Sequence, residues 1–564
     1  MTIRSAFMIA VFTTALASPA MTATGSGKDD KEVGLAAAIL AARHAQYETD
    51  PSAATGYLER ALELDPTNSD LLRDSYFIAA QAGDFAVAVP SAKRFMSVTQ
   101  SQRSSAPLVI AVDYYKKGEF DKAWAAIENI SGQGPVASGL PMIRAWAQAP
   151  ITSADTVLSE LAPYQVRDAT SEIFHLMSGM LNEFYGRNED ALIHYDAMLV
   201  RGERLSLSTV RLLAAGFHRL KQPDKLNALL QLYRQNQVGS FDTDDFLKAF
   251  ADPKYAPAKM TPADGMAEAL FLTAQTMLQG STNSFSSQIA LVYGQMALYL
   301  NPDLDIARWI IGATAAGRSA YDQSNKILEG IGRNDPGYIA AQLQIADNLE
   351  RQGKKGDALG KLQALAKLRS DLPEAQISIG DLLRRDEKFA EAVAAYDRAF
   401  KLYPNGDPAN WILYYTRGIA LERSKNWTRA EADFKRALEL NPDDPSVLNY
   451  LGYSWLDRNE NLAEARRLIE AAYQKRPDEG SIVDSLGWVM YMTGEYDKAV
   501  VQLEKAVELN PSDPTINEHL GDAYWKVGRR NEARFQWRRA LSLAEEESQK
   551  TAIRTKLDQG LAQN

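Results

Sequence analysis

The stretch Leu486–Pro511, LGWVMYMTGEYDKAVVQLEKAVELNP, contains one complete structural unit of this chain. Its apolar spacing predicts one helix over Leu486–Met492 and a second over Tyr496–Leu509. Gly494 opens the turn between them, because glycine tolerates the positive φ that ends a helix. Pro511 ends the unit, since proline lacks the N–H needed to extend a helix. The stretch therefore predicts a helix–turn–helix hairpin.

Small residues repeat this hairpin along the C-terminal part of the chain. Glycines recur at steps of 38, 34, 35 and 34 residues, at Gly380, Gly418, Gly452, Gly487 and Gly521. An alanine follows each glycine after twelve or thirteen residues, at Ala392, Ala430, Ala465, Ala499 and Ala533. Small residues at these places let two helices cross closely. A period near 34 predicts an array of helix pairs, each of which buries its apolar face by stacking on the next.

These residues resemble the tetratricopeptide repeat. Gly452-Tyr453 with Trp455, and Gly521-Asp522-Ala523-Tyr524, are similar to the family consensus. The resemblance implies an all-α solenoid, a right-handed superhelix of antiparallel helix pairs, with about 13–14 pairs and a C-terminal capping helix. The alternative is an ordinary helical bundle, but five consecutive units in register favour the repeat.

Composition narrows the function classes. The chain has 564 residues, of which 46% are hydrophobic and 24% charged, and this is typical of a globular protein. Its net charge of −10 argues against a general polyanion binder. The absence of cysteine excludes disulfides, thiolate metal sites, a cysteine nucleophile and a lipid-modified cysteine.

The N-terminus reads as an export signal. Arg4 precedes the short apolar run Ser5–Ala17, and small residues allow cleavage near Ala17–Ala23. We therefore expect a signal peptide over 1–23 and a flexible lead over 24–30. No other apolar run approaches the length of a transmembrane segment. The alternative is an uncleaved N-terminus on a cytosolic protein.

The remaining chain divides by the quality of its repeats. Residues 31–238 read as a degenerate N-terminal solenoid of about six helix pairs. Residues 239–264, rich in proline and glycine, read as a loop or hinge that contains at most one short helix, Asp242–Ala251. Residues 265–545 read as the regular solenoid. Residues 546–564 read as the capping helix, with an apolar stripe at Ile553, Leu557 and Leu561 and a polar side that includes Lys550, Arg554 and Lys556.

Motifs for catalysis or metal binding are missing from the sequence. The five histidines lie in different repeats without metal-ligand spacing, and there is neither a P-loop nor a nucleophile elbow. Acidic pairs such as Asp443-Asp444 stand where helices are expected to begin and read as caps. We therefore expect no enzyme, no cofactor and no metal site.

A basic cluster near the C-terminus raises the possibility of nucleic-acid binding. It comprises Lys526, Arg529, Arg530, Arg534, Arg538 and Arg539. The acidic chain, and the expectation that Phe535 and Trp537 pack in the core, favour a solvated face or a docking patch for an acidic protein. No nucleic-acid partner is expected.

The family resemblance also implies where a partner binds. In tetratricopeptide arrays the first helix of each pair lines the inner groove, and the positions around the small glycine face it. In this sequence those positions are Tyr415, Ile419, Asn449, Tyr453, Asp484, Trp488, Tyr491, Glu518, Asp522 and Trp525. Their aromatics form a stripe flanked by acids. The alternative is packing between repeats, which is expected for Trp455 and Tyr524. The paired lysines of a carboxylate clamp are missing.

We interpret the chain as an exported, non-enzymatic adaptor in the periplasm of the bacterial cell envelope. It resembles periplasmic tetratricopeptide adaptors, including the lipoproteins that hold carboxyl-terminal processing proteases beside cell-wall hydrolases. The resemblance implies a protein or peptide partner, such as an envelope protease or hydrolase. Without cysteine the chain cannot carry the lipid anchor of those lipoproteins. An assembly factor for outer-membrane proteins or exported polysaccharide is the alternative, followed by a cytosolic scaffold.

Overall fold

The computed structural model describes residues 34–99, 105–130, 139–164, 171–200, 205–236, 241–252, 254–280, 284–403 and 406–561. Within these ranges the protein has 30 α-helices and no strand. The predicted signal peptide 1–23 and the lead 24–30 lie outside the described residues. None of the described helices is both long enough and apolar enough to cross a bilayer.

The chain separates into two compact units, one ending at Ile327 and the other beginning at Leu328. Unit 1 contains α1 (Leu35–Tyr47), α2 (Pro51–Leu64), α3 (Ser69–Ala82), α4 (Phe85–Thr99), α5 (Ala106–Lys116), α6 (Phe120–Ile127), α7 (Leu140–Gln148), α8 (Ala154–Leu161), α9 (Ser171–Phe184), α10 (Asn188–Val200), α11 (Leu207–Arg219), α12 (Pro223–Asn236), α13 (Phe241–Ala251), α14 (Pro262–Gly280), α15 (Ser284–Leu300), α16 (Asp305–Gly317) and α17 (Tyr321–Leu328).

Unit 2 contains the remaining thirteen helices. They are α18 (Tyr338–Arg351), α19 (Lys355–Leu368), α20 (Pro373–Arg385), α21 (Phe389–Phe400), α22 (Trp411–Arg423), α23 (Trp427–Leu440), α24 (Pro445–Asp457), α25 (Leu462–Lys475), α26 (Gly480–Met492), α27 (Tyr496–Leu509), α28 (Pro514–Lys526), α29 (Arg530–Leu543) and α30 (Glu547–Gln559). Helices α18–α29 form six consecutive antiparallel pairs, and α30 packs on α29. The predicted fold class, an all-α solenoid of helix pairs closed by a capping helix, is confirmed.

Within helix pairs of unit 2, a glycine on the first helix makes room for a large side chain of the second helix. A Cβ on Gly487 would lie 2.6 Å from Cγ of Leu503, and one on Gly521 would lie 2.4 Å from Cδ1 of Trp537. Gly380, Gly418 and Gly452 meet Tyr396, Phe434 and Ile469 in the same way. The repeated glycine on α20, α22, α24, α26 and α28 is therefore a socket for one bulky residue of the second helix, as the sequence period predicts.

Helix ends follow the sequence signals. Asp444 accepts hydrogen bonds from the backbone N–H groups of Ser446 and Val447 at 3.0 and 3.1 Å, ahead of a proline at the first helical position. Asp513 caps α28 in the same manner. Gly494 has φ +82°, the left-handed value expected for the turn of its hairpin. These caps satisfy backbone donors that would otherwise be left without partners.

A helical hairpin covers the inner face of unit 1. Helix α15 packs against the first helices α3 and α5, and α14 packs against α7 and α9. Side chains around α15 are buried on all sides, among them Val292, Tyr293, Met296 and Ala297. A helix that is apolar all round is stable only when it is enclosed. The groove that first helices line in such arrays is here occupied by the chain's own α14–α15 hairpin.

The boundary between the two units lies at residues 327–328, whereas the sequence analysis placed a hinge at 239–264. The sequence put a hinge at 239–264 and assigned the following residues to the C-terminal solenoid. In the structure α13 lies within that range, and α14–α17 belong to the compact unit that ends at Ile327. The hairpin joins unit 1 because its apolar faces contact helices far earlier in the chain.

Overpacking should reveal the crossing of α26 and α27. Ala499 has no exposed surface and precedes Leu503, which fills the Gly487 socket, by one turn of α27. Leucine at position 499 adds methylene groups where none fit, so Ala499→Leu is expected to lower the free energy of unfolding by ~1–3 kcal/mol. Urea denaturation monitors the loss. An unchanged denaturation midpoint would contradict the close crossing, and Val501→Leu, at an exposed position of the same helix, serves as the control.

Candidate partner-binding face

The first helices α18, α20, α22, α24, α26 and α28 form one surface of unit 2, called here the first-helix face. Their principal contacts are with neighbouring helices in the chain, and no hairpin like α14–α15 packs across the described part of this face. The sequence placed the partner-binding groove on α22–α28 of this surface.

An aromatic stack lies on this face at α26, the fifth of its six helices. The rings of Trp488 and Tyr491 are parallel at a centroid distance of 4.6 Å, and Trp488 also stacks on His519 at 3.8 Å. Tyr453 approaches the same histidine at 6.4 Å. Trp488, Tyr491 and Tyr453 are each partly buried. Three predicted site residues therefore come together around a histidine that the sequence analysis did not select.

The carboxylate of Asp484 fixes this histidine. His519 is buried, and its Nδ1 lies 3.0 Å from both carboxylate oxygens of Asp484. Asp484 is itself buried, so this predicted site residue supports the stack from below and does not face the groove. Its spacing of 35 residues from His519, one repeat length, was the signal that could have revealed the pair.

Neighbouring acids set the charge of His519. Burial alone lowers the pKa of His519, but the carboxylates of Asp484, Asp522 and Glu518 outweigh it and hold the pKa above its ordinary value. Burial, followed by the charges of Asp484 and other acids, raises the pKa of Tyr453. Acidic side chains therefore surround His519 and Tyr453, and Lys556 pairs with two of these acids, Glu518 and Asp522.

The stability of unit 2 should depend on the charge of His519. Because the folded pKa is raised, the stabilising charge pair is fully present below the unfolded pKa of about 6.5 and is lost as pH rises through the folded pKa. We expect the free energy of unfolding to fall above pH 6.5, and this fall should disappear in His519→Gln. Urea denaturation across pH 6–9 tests it. An equally steep fall in the variant would contradict the assignment. Asp484 and Tyr453 from the preceding helices and Asp522 and Glu518 on α28 face the same group, and Lys556 on α30 pairs with the last two acids.

The last predicted site residues contact the capping helix. Lys556 of α30 places its Nζ 2.7 Å from carboxylate oxygens of both Glu518 and Asp522. Trp525 lies 5.2 Å from the ring of Trp537 and against Gly560 after α30. These three predicted groove positions therefore bind α30. Lys556, expected on the polar outer side of the capping helix, points inward to them, and Ile553 is buried as predicted.

The N-terminal end of the predicted site is a second aromatic group. Tyr415 contacts the rings of Tyr450 at 5.9 Å and Phe434 at 6.1 Å, and burial raises its pKa to about 12. Ile419 is partly buried beside it. The Oδ1 atom of Asn449 is buried without a hydrogen-bond partner in the described protein. Tyr450, which the sequence analysis missed, donates its hydroxyl to Glu422.

The sequence analysis predicted that four aromatic side chains are buried, and their exposed surface in the structure tests this. Trp455 and Tyr524 are buried between repeats, as predicted, and Trp537 is fully buried. Phe535, expected in the core, is 63% exposed, so that prediction is wrong. Position 535 lies on the outer side of α29, between the buried Ala533 and Trp537. The aromatic beside the basic cluster is therefore a surface residue.

The histidines are less scattered in space than in sequence. The Nδ1 atoms of His175 and His194, on α9 and α10, are 3.1 Å apart. Burial, and then the neighbouring histidine, lowers the pKa of His194. In the ranges that the structure describes, no group of three or more histidine and acidic side chains is placed to hold a metal ion.

Comparisons with known proteins agree with the geometry of unit 2. Family models described as tetratricopeptide repeat match residues 343–407 and 415–480, and one described as TPR repeat matches residues 488–528. These segments are tetratricopeptide repeats. The tetratricopeptide fold is typical of scaffolds for protein–protein interactions.

Two curated relatives share part of the chain. A TPR repeat-containing protein of Pseudomonas aeruginosa is 32% identical over 233 residues, which are 40% of this chain and 32% of that protein. Tetratricopeptide repeat protein 13 of Homo sapiens is 25% identical over 214 residues, 36% of this chain and 23% of that protein. The match thus spans a third or less of each relative's length.

Solved structures are similar only at a coarse level. The crystal structure of the APC/C hetero-tetramer Cut9-Hcn1 aligns with 89% of this chain and 98% of its own at 14% identity and a TM-score of 0.38. The yeast Tom70 structure aligns with 80% of this chain and 94% of its own at 14% identity and a TM-score of 0.33. Likeness at these scores bears neither on function nor on detailed geometry.

Proposed function

We propose that this protein is a non-enzymatic adaptor that binds a protein or peptide partner on the first-helix face of unit 2. One observation carries the proposal: the Trp488–Tyr491 stack, partly exposed and held by the His519–Asp484 pair on a rigid array. Rigid aromatic side chains anchor partners at low entropic cost, and a central one is worth ~2 kcal/mol or more.

The acidic side chains near the stack favour a partner segment that carries positive charge. Tyr453 lies beside the stack, and after burial the charges of four carboxylates help to raise its pKa: Asp484, Asp457, Asp513 and Glu518. A segment that combines apolar side chains with lysine or arginine complements both the aromatic rings and these carboxylates. In unit 1 the corresponding face is covered by α14–α15, which leaves unit 2 as the surface for a partner.

We propose further that the adaptor is exported and works in the periplasm. Support comes from the sequence of residues 1–23 and from the similarity to a bacterial tetratricopeptide protein over 40% of the chain. An envelope protease or hydrolase is the proposed partner. Cell fractionation followed by N-terminal sequencing of the purified protein tests the location: a mature N-terminus near residues 18–24 supports export, and an intact Met1 in the cytosol contradicts it.

Crosslinking in the native envelope tests partner binding. The full-length protein should capture a defined partner, and Trp488→Ala should reduce the yield at least tenfold because the anchor of the stack is lost. Phe535→Ala, an exposed aromatic on a second helix, should retain full capture. Retention of the partner by Trp488→Ala would contradict the proposed site. Capture of many unrelated unfolded proteins would support an assembly factor instead.

A further inference from the structure

Unit 1 contains a cavity at the end of its inner face that the α14–α15 hairpin does not fill. The cavity has a volume of about 580 Å³ and lies among α1, α3, α15 and α16–α17. Pockets for small molecules typically measure ~300–1,000 Å³. It is separate from the first-helix face of unit 2, on which the proposed adaptor function depends.

The walls of the cavity are mainly apolar. Phe77 and Ile78 of α3, Leu108 of α5, and Ile289 and Val292 of α15 line it. They come from three helices that are distant in sequence and are brought together by the hairpin. Such a wall suits an aliphatic or aromatic body and offers few acceptors to the N–H groups of a peptide.

Arginines give the cavity an excess of positive charge. Arg43 and Arg73 line it and share the carboxylate of Asp74, at 3.3 and 3.1 Å. Arg318, after α16, also lines it, and no carboxylate in the described residues pairs with its guanidinium. Arg318 is partly buried, and this burial lowers the pKa of its guanidinium. Asp70 also pairs with Arg73, at 2.9 Å, so the three arginines stand against two carboxylates, neither of which pairs with Arg318.

Two buried polar groups at the cavity lack a protein partner. Tyr293 lines the cavity with 0% of its surface exposed, and its hydroxyl makes no hydrogen bond. The Nε2 donor of Gln46 is likewise buried and unsatisfied. Leaving such groups unpaired costs free energy, so their occurrence at one cavity points to a ligand that accepts hydrogen bonds.

We propose that this cavity binds a single-chain anionic amphiphile, whose apolar chain lies between α3 and α15 and whose head group meets Arg318. A head that accepts hydrogen bonds satisfies the free donors and the uncompensated guanidinium together. A carboxylate and a phosphate share this chemistry, and they correspond to a free fatty acid and to a lipid-derived head group.

Isothermal titration of the purified full chain tests the site with three ligands of equal chain length: decanoate, decyl phosphate and 1-decanol. At least one anion should bind saturably with one site per chain, and the alcohol should bind at least tenfold more weakly. Arg318→Gln should weaken binding of the anion about tenfold, because it removes a charge-assisted contact. Tyr293→Phe should weaken it further while retaining the ring. The tighter of the two anions identifies the source of the head group.

Matched controls keep the outcome decisive. Arg187→Gln removes an arginine of unit 1 that pairs with Asp155 away from the cavity, so it should leave binding unchanged. Arg318 is partly exposed, and its variant should melt as the wild type does without ligand. Equal binding of the alcohol, equal effects of Arg318→Gln and Arg187→Gln, or no saturable heat would each overturn the proposal. None of these results bears on partner capture by unit 2.

Discussion

Replacing Trp537 by alanine is expected to lower the free energy of unfolding of unit 2 by ~3–5 kcal/mol. The indole is fully buried, fills the socket of Gly521 and lies 5.2 Å from the ring of Trp525. Its Nε1 also donates to the buried carboxylate of Asp522 at 2.8 Å. The variant therefore leaves a cavity and removes one hydrogen bond from a buried acid.

Hydrogen–deuterium exchange in peptides of α28 and α29 measures this loss locally. Phe535→Ala is the matched control, because it truncates an exposed aromatic on the same helix and should change stability by less than ~0.5 kcal/mol. Similar losses in the two variants would show that the indole does not fill the socket between α28 and α29.

Removing the carboxylate of Glu268 should loosen the hairpin that covers unit 1. The Glu268 side chain is 6% exposed, and its two oxygens accept from Nη2 of Arg211 at 2.6 and 2.7 Å. This ion pair joins α14 to α11. Because Glu268→Leu leaves a mostly buried guanidinium without its partner, we expect a loss of ~3–5 kcal/mol.

A second substitution distinguishes the free-energy cost of an unpaired buried charge from the cost of losing the contact itself. In the double variant Glu268→Leu, Arg211→Met no buried charge remains, so most of the lost stability should return. The exposed pair of Arg187 and Asp155 is the control: Asp155 is 82% exposed, and Asp155→Ala should leave the stability nearly unchanged, because solvent screens the pair. Exchange rates in α14 report the outcome. A double variant as unstable as the single one would contradict a role for the buried charge.

The sequence predicted unit 2 well because its information is local. Each glycine and its alanine lie within one hairpin, so spacing alone locates the crossing that Gly487 and Leu503 make in the structure. The Trp488–Tyr491 stack follows from helical spacing as well. Its histidine was missed because Asp484 and His519 belong to different repeats, and their contact is visible only when the period is applied to polar residues.

Unit 1 was harder to predict because its decisive contacts are distant in sequence. Ala290, Ala297 and Pro302 have the spacing of an ordinary repeat, which led to the assignment of α14–α15 to the C-terminal solenoid. Helix α15 is apolar nearly all round, as an enclosed helix must be, but nothing local in the sequence identifies the helices that enclose it. Lys556 was misplaced for a related reason: the acids that attract it lie on the preceding pair.

The enclosed hairpin has a consequence for synthesis of the chain. Lys116 donates a hydrogen bond to the carbonyl of Tyr299, 183 residues later in the chain. The early helices therefore cannot pack against α15 until much later in synthesis. At ~5–20 residues per second, translation needs on the order of 10–40 s to produce that partner. Throughout this interval an apolar surface on the nascent chain stays open to aggregation, whereas each hairpin of unit 2 can close as soon as it emerges. Unit 1 is therefore where this protein should depend most on chaperones.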